Sequence, residues 1–302
     1  MTPLQRYIAE EIATDHADGL MSRREALRRL ALLGVGTAAA SALIAACSRG
    51  DGEQPPAQPA PSEPPARGTP PGMDTARPTA PVQWEGPDGT LQGAWAEAPD
   101  ARGAVLVIHE NKGLNDWTRS VAGRLAGAGY SSLAIDLLSS DGGTATFADP
   151  AEATAALSRR APEAMLADIR SGLAETARRT PDRRIAVVGF CMGGGLVWRL
   201  LDAGVPEVAA ALPFYGPTPD NPDFSRSRDV AVLAFYGALD DRVNATEPAA
   251  RAALQAAGLV HEIVIEPDAN HAFFNDTGDR YDPTAAQDAW RRSLDWLAAH
   301  VD

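Results

Sequence analysis

Three residues whose types could combine into a nucleophile, an orienting acid and a general base stand far apart in this chain: Cys191, Asp240 and His271. A thiol attacks a carbonyl only as its thiolate, so it needs a base within hydrogen-bond reach. An imidazole can take that proton and return it to a leaving oxygen, and a carboxylate can hold the imidazole in the required tautomer. Cys191 lies in Arg184-Ile-Ala-Val-Val-Gly-Phe-Cys-Met-Gly-Gly-Gly-Leu-Val-Trp198. An apolar run ends in glycine, one cysteine follows, then three glycines, then residues able to start a helix. The spacing Gly-x-Cys-x-Gly is that of a sharp strand–turn–helix elbow, in which Gly189 and Gly193 let strand and helix approach where a Cβ would clash. The helix N-terminus beneath the cysteine would favour a thiolate.

The elements that must position these residues follow from the apolar pattern. Continuous runs of strand length occur at Ala104–Ile108, Ser132–Ile135, Ile185–Val188, Val208–Pro213, Val230–Phe235 and Glu262–Ile265. Such runs suit strands buried on both faces, as in a parallel sheet. Trp84–Trp95 reads as a hairpin turning at Pro-Asp-Gly. Helical segments fall between the runs, at Thr118–Gly127, Pro162–Arg179, Gly194–Leu201, Glu247–Ala257 and Thr284–Ala299. Strands alternating with helices predict an α/β fold with a mostly parallel central sheet and helices on both faces. In such a sheet ligands gather at the carboxyl ends of the strands. Cys191, Asp240 and His271 each follow a run, in the order nucleophile, acid, histidine, which is the chain order of the α/β-hydrolase triad. Asp241 is the adjacent rival for the acid and Asp268 a further one. The loop after Ile108 should supply the second oxyanion N–H, at Asn111, while Met192, following the nucleophile, supplies the first. Glu110 puts a carboxylate at a strand end beside the expected thiol; a solvated loop acid or a partner for Lys112 is the other reading.

Together, Glu110, Gly-Phe-Cys-Met-Gly-Gly, Gly-x-x-Asp and His-x-Phe resemble the dienelactone hydrolase family, over essentially residues 82–302. The resemblance implies an α/β-hydrolase fold and a Cys-Asp-His triad at Cys191, Asp240 and His271. It also implies that Glu110 interacts with the resting thiol and takes part in its activation. The expected reaction is hydrolysis of a small-molecule ester or lactone through an acyl-thioester, with no metal or organic cofactor. Members of the family grip a substrate carboxylate with arginines, one of them four positions past the histidine. Here that position is Asn275, which argues against a small anionic substrate. Two other classes remain open: a thiol redox sensor built on Cys191, and a hydrolase fold serving only as a binding module.

Of 302 residues, 45% are hydrophobic and 22% charged, and the net charge of −13 argues against nucleic acid as a partner. Residues 1–47 read as an export signal. Ser22-Arg23-Arg24-Glu25-Ala26-Leu27 is a twin-arginine pattern, and a short alanine-rich apolar run ends at Leu43-Ile-Ala-Ala-Cys47. Small residues before Cys47 resemble a lipobox, so Cys47 is the expected lipidation site. The expected location is outside the cytoplasm, at the outer face of the cytoplasmic membrane or in the periplasm, with the lipid as the sole membrane attachment. Cys191 would then have no intrachain partner among the two cysteines. Ten prolines between Pro55 and Pro81 make residues 48–81 an extended spacer, leaving 82–302 as the catalytic domain.

Overall fold

The structure is a computed structural model that describes residues 1–47 and 68–302. It divides into two compact units, one of Met1–Arg67 with Phe147–Arg160 and one of Gly68–Thr146 with Ala161–Asp302.

In the first unit, α1 (Pro3–Ala17), α2 (Arg23–Leu32) and α3 (Thr37–Cys47) pack with α5 (Pro150–Arg159). Thr2 caps α1 in a reciprocal capping box with Gln5, and the Ser22 side chain caps α2. Ile8, Ile12, Ala26, Leu30 and Ile44 share a buried cluster with Ala155 of α5. Arg28 adds an ion pair to Asp149 at 2.8 Å. The segment read as an export signal thus has a folded form of its own, because its apolar residues recur at helical spacing and α5 offers them a surface. Among the described residues no helix is long and apolar enough to cross a membrane.

The second unit is built on one eight-stranded sheet in the order β1-β2-β4-β3-β5-β6-β7-β8. The strands are β1 (Ala80–Gly86), β2 (Gly89–Ala96), β3 (Gly103–Ile108), β4 (Tyr130–Asp136), β5 (Ile185–Phe190), β6 (Ala210–Phe214), β7 (Ala231–Gly237) and β8 (His261–Glu266). The hairpin β1–β2 is antiparallel and attaches antiparallel to β4; the other pairings are parallel. β3, β4, β5, β6 and β7 are buried along their whole length, which is why all but β4, with its buried Ser131, Ser132 and Asp136, read as apolar runs. The helices are α4 (Asp116–Gly127), α6 (Pro162–Arg179), α7 (Met192–Ala203), α8 (Asp241–Asn244), α9 (Glu247–Ala257) and α10 (Pro283–His300). The step from β3 to β4 and the step from β4 to β5 run in opposite directions across the sheet. Right-handed crossovers then place α4 and α6 on opposite faces, giving the expected α/β-hydrolase architecture.

Most of the spacer lies outside the described residues, but its end belongs to the second unit. The folded part begins ahead of residue 82, because Arg77 N–H donates to Gly123 O of α4 (2.9 Å). A Cβ on Gly123 or Gly127 would run into the backbone of Arg77 or Thr75, so glycines on α4 make room for this strap.

Candidate active site

The carboxyl ends of β3, β5, β6, β7 and β8 converge on one place. Cys191 sits between β5 and α7 with φ 54° and ψ −116°, a conformation costing a non-glycine residue about 1–3 kcal/mol. Backbone bonds over-determine it: Cys191 N–H donates to Phe214 O and Gly195 N–H to Cys191 O, both at 3.0 Å. A Cβ on Gly193 would stand 2.5 Å from Ile108 O, so the start of α7 abuts the end of β3. Behind the elbow, the Phe190 ring meets Trp117 (5.0 Å), Phe214 (4.8 Å) and Phe274 (5.6 Å), contacts that stiffen the strand end.

Asp240 and His271 arrive from the next two strands. Asp240 is the N-cap of α8, its Oδ1 accepting from Val243 N–H at 3.2 Å. Its Oδ2 lies 2.5 Å from His271 Nδ1. Burial works against the Asp240 carboxylate, yet the facing imidazole and its hydrogen bond hold the group below the usual carboxylate range. Asp241 and Asp268 are both exposed, so the side chain on His271 is that of Asp240. A ring nitrogen of His271 lies within 4.8 Å of Cys191 Sγ. Nδ1 faces Asp240, so Nε2 is the ring nitrogen that can act as base toward sulfur.

Glu110 is buried, 6% exposed, not a solvated loop acid. Asn275 Nδ2 donates to its Oε2 at 2.8 Å, and Tyr215 Oη donates to its Oε1 at 3.3 Å. Tyr215 is a residue that sequence reasoning missed. It follows β6 with φ 35° and lays its ring edge-on against His271 at 5.2 Å. Burial, then the negative charges of Glu110 and Cys191, push its phenol well above the ordinary value, so it stays a donor. Asn275, noted only as a departure from the family pattern, has its Oδ1 anchored by Thr277 N–H and Oγ1. The next residue, Asp276, accepts from Trp117 Nε1 (3.0 Å) and pairs with the buried Arg124 (2.7 Å), tying the turn after His271 to α4.

Met192 is the first residue of α7, where an N–H has no intrahelical acceptor, and Asn111 is buried in the turn after β3. A strained strand–helix turn carrying Cys191, a carboxylate-held imidazole and two backbone N–H candidates on one mostly parallel sheet fit an α/β hydrolase. The comparisons narrow the class. The model of the dienelactone hydrolase family matches residues 91–301, and the chain belongs to that family. A Salmonella typhimurium protein named "Putative carboxymethylenebutenolidase" is 32% identical over 254 residues, covering 74% of this chain and 94% of that one. The crystal structure titled "Putative Dienelactone Hydrolase" from Klebsiella pneumoniae superposes with a TM-score of 0.62 at 29% identity, over 74% of this chain and 99% of that chain. A dienelactone hydrolase structure from Anabaena variabilis has a TM-score of 0.58 at 18% identity, over 75% and 100%, and bears on the fold alone.

Proposed function

We propose that this protein hydrolyses carboxylic esters or lactones through a Cys191 acyl-thioester. In this reading His271 Nε2 takes the Cys191 proton, and Sγ adds to the substrate carbonyl carbon. The resulting oxyanion is held by the N–H groups of Met192 and Asn111. When the C–O bond breaks, the leaving oxygen receives the proton from His271. A water molecule, losing its proton to His271, then attacks the thioester; acid is released and the thiol restored. Asp240 keeps the imidazole oriented throughout. Glu110 modulates the thiol: a carboxylate nearby disfavours thiolate in the resting enzyme. Because a neutral amide, Asn275, faces that carboxylate, the reading favours uncharged substrates over small anions.

The observation that carries this is the 2.5 Å Asp240–His271 contact beside a strained, buried cysteine at a strand–helix elbow. The test is hydrolysis of aryl esters and lactones by the full chain and its Cys191→Ala variant. Turnover should vanish in the variant while its melting curve stays that of a folded protein. Unchanged turnover would refute the mechanism. We further propose export and lipid anchoring at Cys47, supported by the twin-arginine pattern and the lipobox-like residues before it.

A further inference from the structure

His109, the residue after β3, is fully buried and has no part in the mechanism above. Both of its ring nitrogens are engaged. Leu137 N–H donates to Nε2 at 3.1 Å. An N–H donor there requires a bare nitrogen, so the proton must sit on Nδ1. Nδ1–H in turn points at Glu110 O at 2.6 Å. Burial pushes the imidazole below its ordinary value, consistent with a neutral ring.

The accepting carbonyl is the informative part. Glu110 C=O and Asn111 N–H belong to a single peptide unit, which is planar and trans, so the two groups point in opposite directions. Whatever fixes one fixes the other. The rest of the loop is pinned as well. Gly113 N–H donates to the same Glu110 O at 3.4 Å, and Leu114 N–H donates to Thr144 Oγ1 at 2.9 Å. Thr144 Oγ1 donates to Asp136 Oδ1 at 2.7 Å, and Asp136 ends β4. Thus the loop is held at both ends by groups from β4 and the turn after it.

We propose that His109 is a positioning residue for hydrolysis: its Nδ1–H tautomer, set by Leu137 N–H, orients the Glu110–Asn111 peptide so that Asn111 N–H faces the oxyanion. This rests on the reading of Cys191 as nucleophile. Its consequence is felt in the transition state, where charge develops on the carbonyl oxygen, more than in substrate binding.

Two substitutions separate the two ring nitrogens. In His109→Asn the side-chain amide can replace the Nδ1 donor, and in His109→Gln it can replace the Nε2 acceptor. With a neutral aryl acetate, His109→Gln should lose about ten- to a hundred-fold in kcat with KM within about three-fold, less than the loss of a whole oxyanion donor. His109→Asn should keep kcat within about three-fold of the parent. Alkylation of Cys191 by iodoacetamide, which needs no oxyanion donor, should be unchanged in both. A glutamine variant with native kcat overturns the proposal. So does an equal loss in both variants that follows their unfolding midpoints. Retained turnover in Cys191→Ala would instead remove the nucleophile reading, so the two failures are distinct.

Discussion

Glu266, the last residue of β8, offers a prediction whose sign and size follow from its surroundings. It is 3% exposed, and its Oε1 is buried with no hydrogen-bond partner among the described residues. Burial, then the nearby Asp288, raises its carboxyl from 4.5 to about 7, with Asp282 adding to the rise and Arg292 and Arg291 opposing it. The folded chain therefore holds a proton that the unfolded chain releases near 4.5. Stability contributed by the neutral form is fully present below that value and is lost as pH rises through about 7. At about 1.4 kcal/mol per pH unit, the loss amounts to at most about 3.5 kcal/mol by pH 8. Glu266→Gln cannot ionise and should recover it. In urea melts the variant should gain up to about 3.5 kcal/mol at pH 8, a midpoint shift of about 1 M for a slope of about 3 kcal/mol/M, and nothing beyond about 0.5 kcal/mol at pH 4. The site is involved because Glu266 O accepts from Ala238 N–H at 2.9 Å, in the turn that carries Asp240. Equal stability of variant and parent at pH 8 would refute the reasoning.

Asn275→Leu should leave Glu110 Oε2 buried without its 2.8 Å donor and cost about 1–3 kcal/mol of stability. The same variant should slow iodoacetamide labelling of Cys191, because a carboxylate freed from Asn275 adds more of its charge to the neighbourhood of the thiol; differential denaturation and labelling kinetics check the two effects. Cys47→Ala in cells of a lipoprotein-processing bacterium should abolish incorporation of labelled fatty acid and move the protein from the membrane to the soluble fraction. A variant that stays with the membrane would count against anchoring at Cys47.

The fold was legible wherever the sheet is covered on both sides. β3, β5 and β7 need apolar side chains at every position, and a run of six such residues has few other uses. The elbow was legible for a different reason, since Gly189 and Gly193 are demanded by contacts of backbone with backbone, leaving a fixed spacing around Cys191. Helix α5 escaped notice because its buried face is mostly alanine, at Ala151, Ala153, Ala155 and Ala156, and its partners are α1–α3. The folding of residues 1–47 was hidden by setting that segment aside as a signal, although Thr2-Pro-Leu-Gln5 and Ser22 already carried capping signatures. The Gly-x-x-Asp spacing favoured Asp240 over its neighbour Asp241, and the turn after β7 does aim Asp240 at the imidazole.

What remained illegible shares a physical character. Tyr215, Asn275 and His109 act through partners that are remote in sequence or belong to the backbone: Glu110 is 105 residues from Tyr215 and 165 from Asn275. A backbone N–H such as that of Leu137 leaves no trace in residue identity at all, yet it decides which nitrogen of His109 carries the proton. Motifs record groups that chemistry requires by type, whereas positioning depends on where the fold delivers donors that every residue possesses. The carboxylate Glu110 shows both sides of this. Its type was visible beside the expected thiol, but whether it lay in solvent or was buried was settled by two donors, from the residue after β6 and the turn after β8. Those donors satisfy both oxygens of a carboxylate that is otherwise withdrawn from solvent.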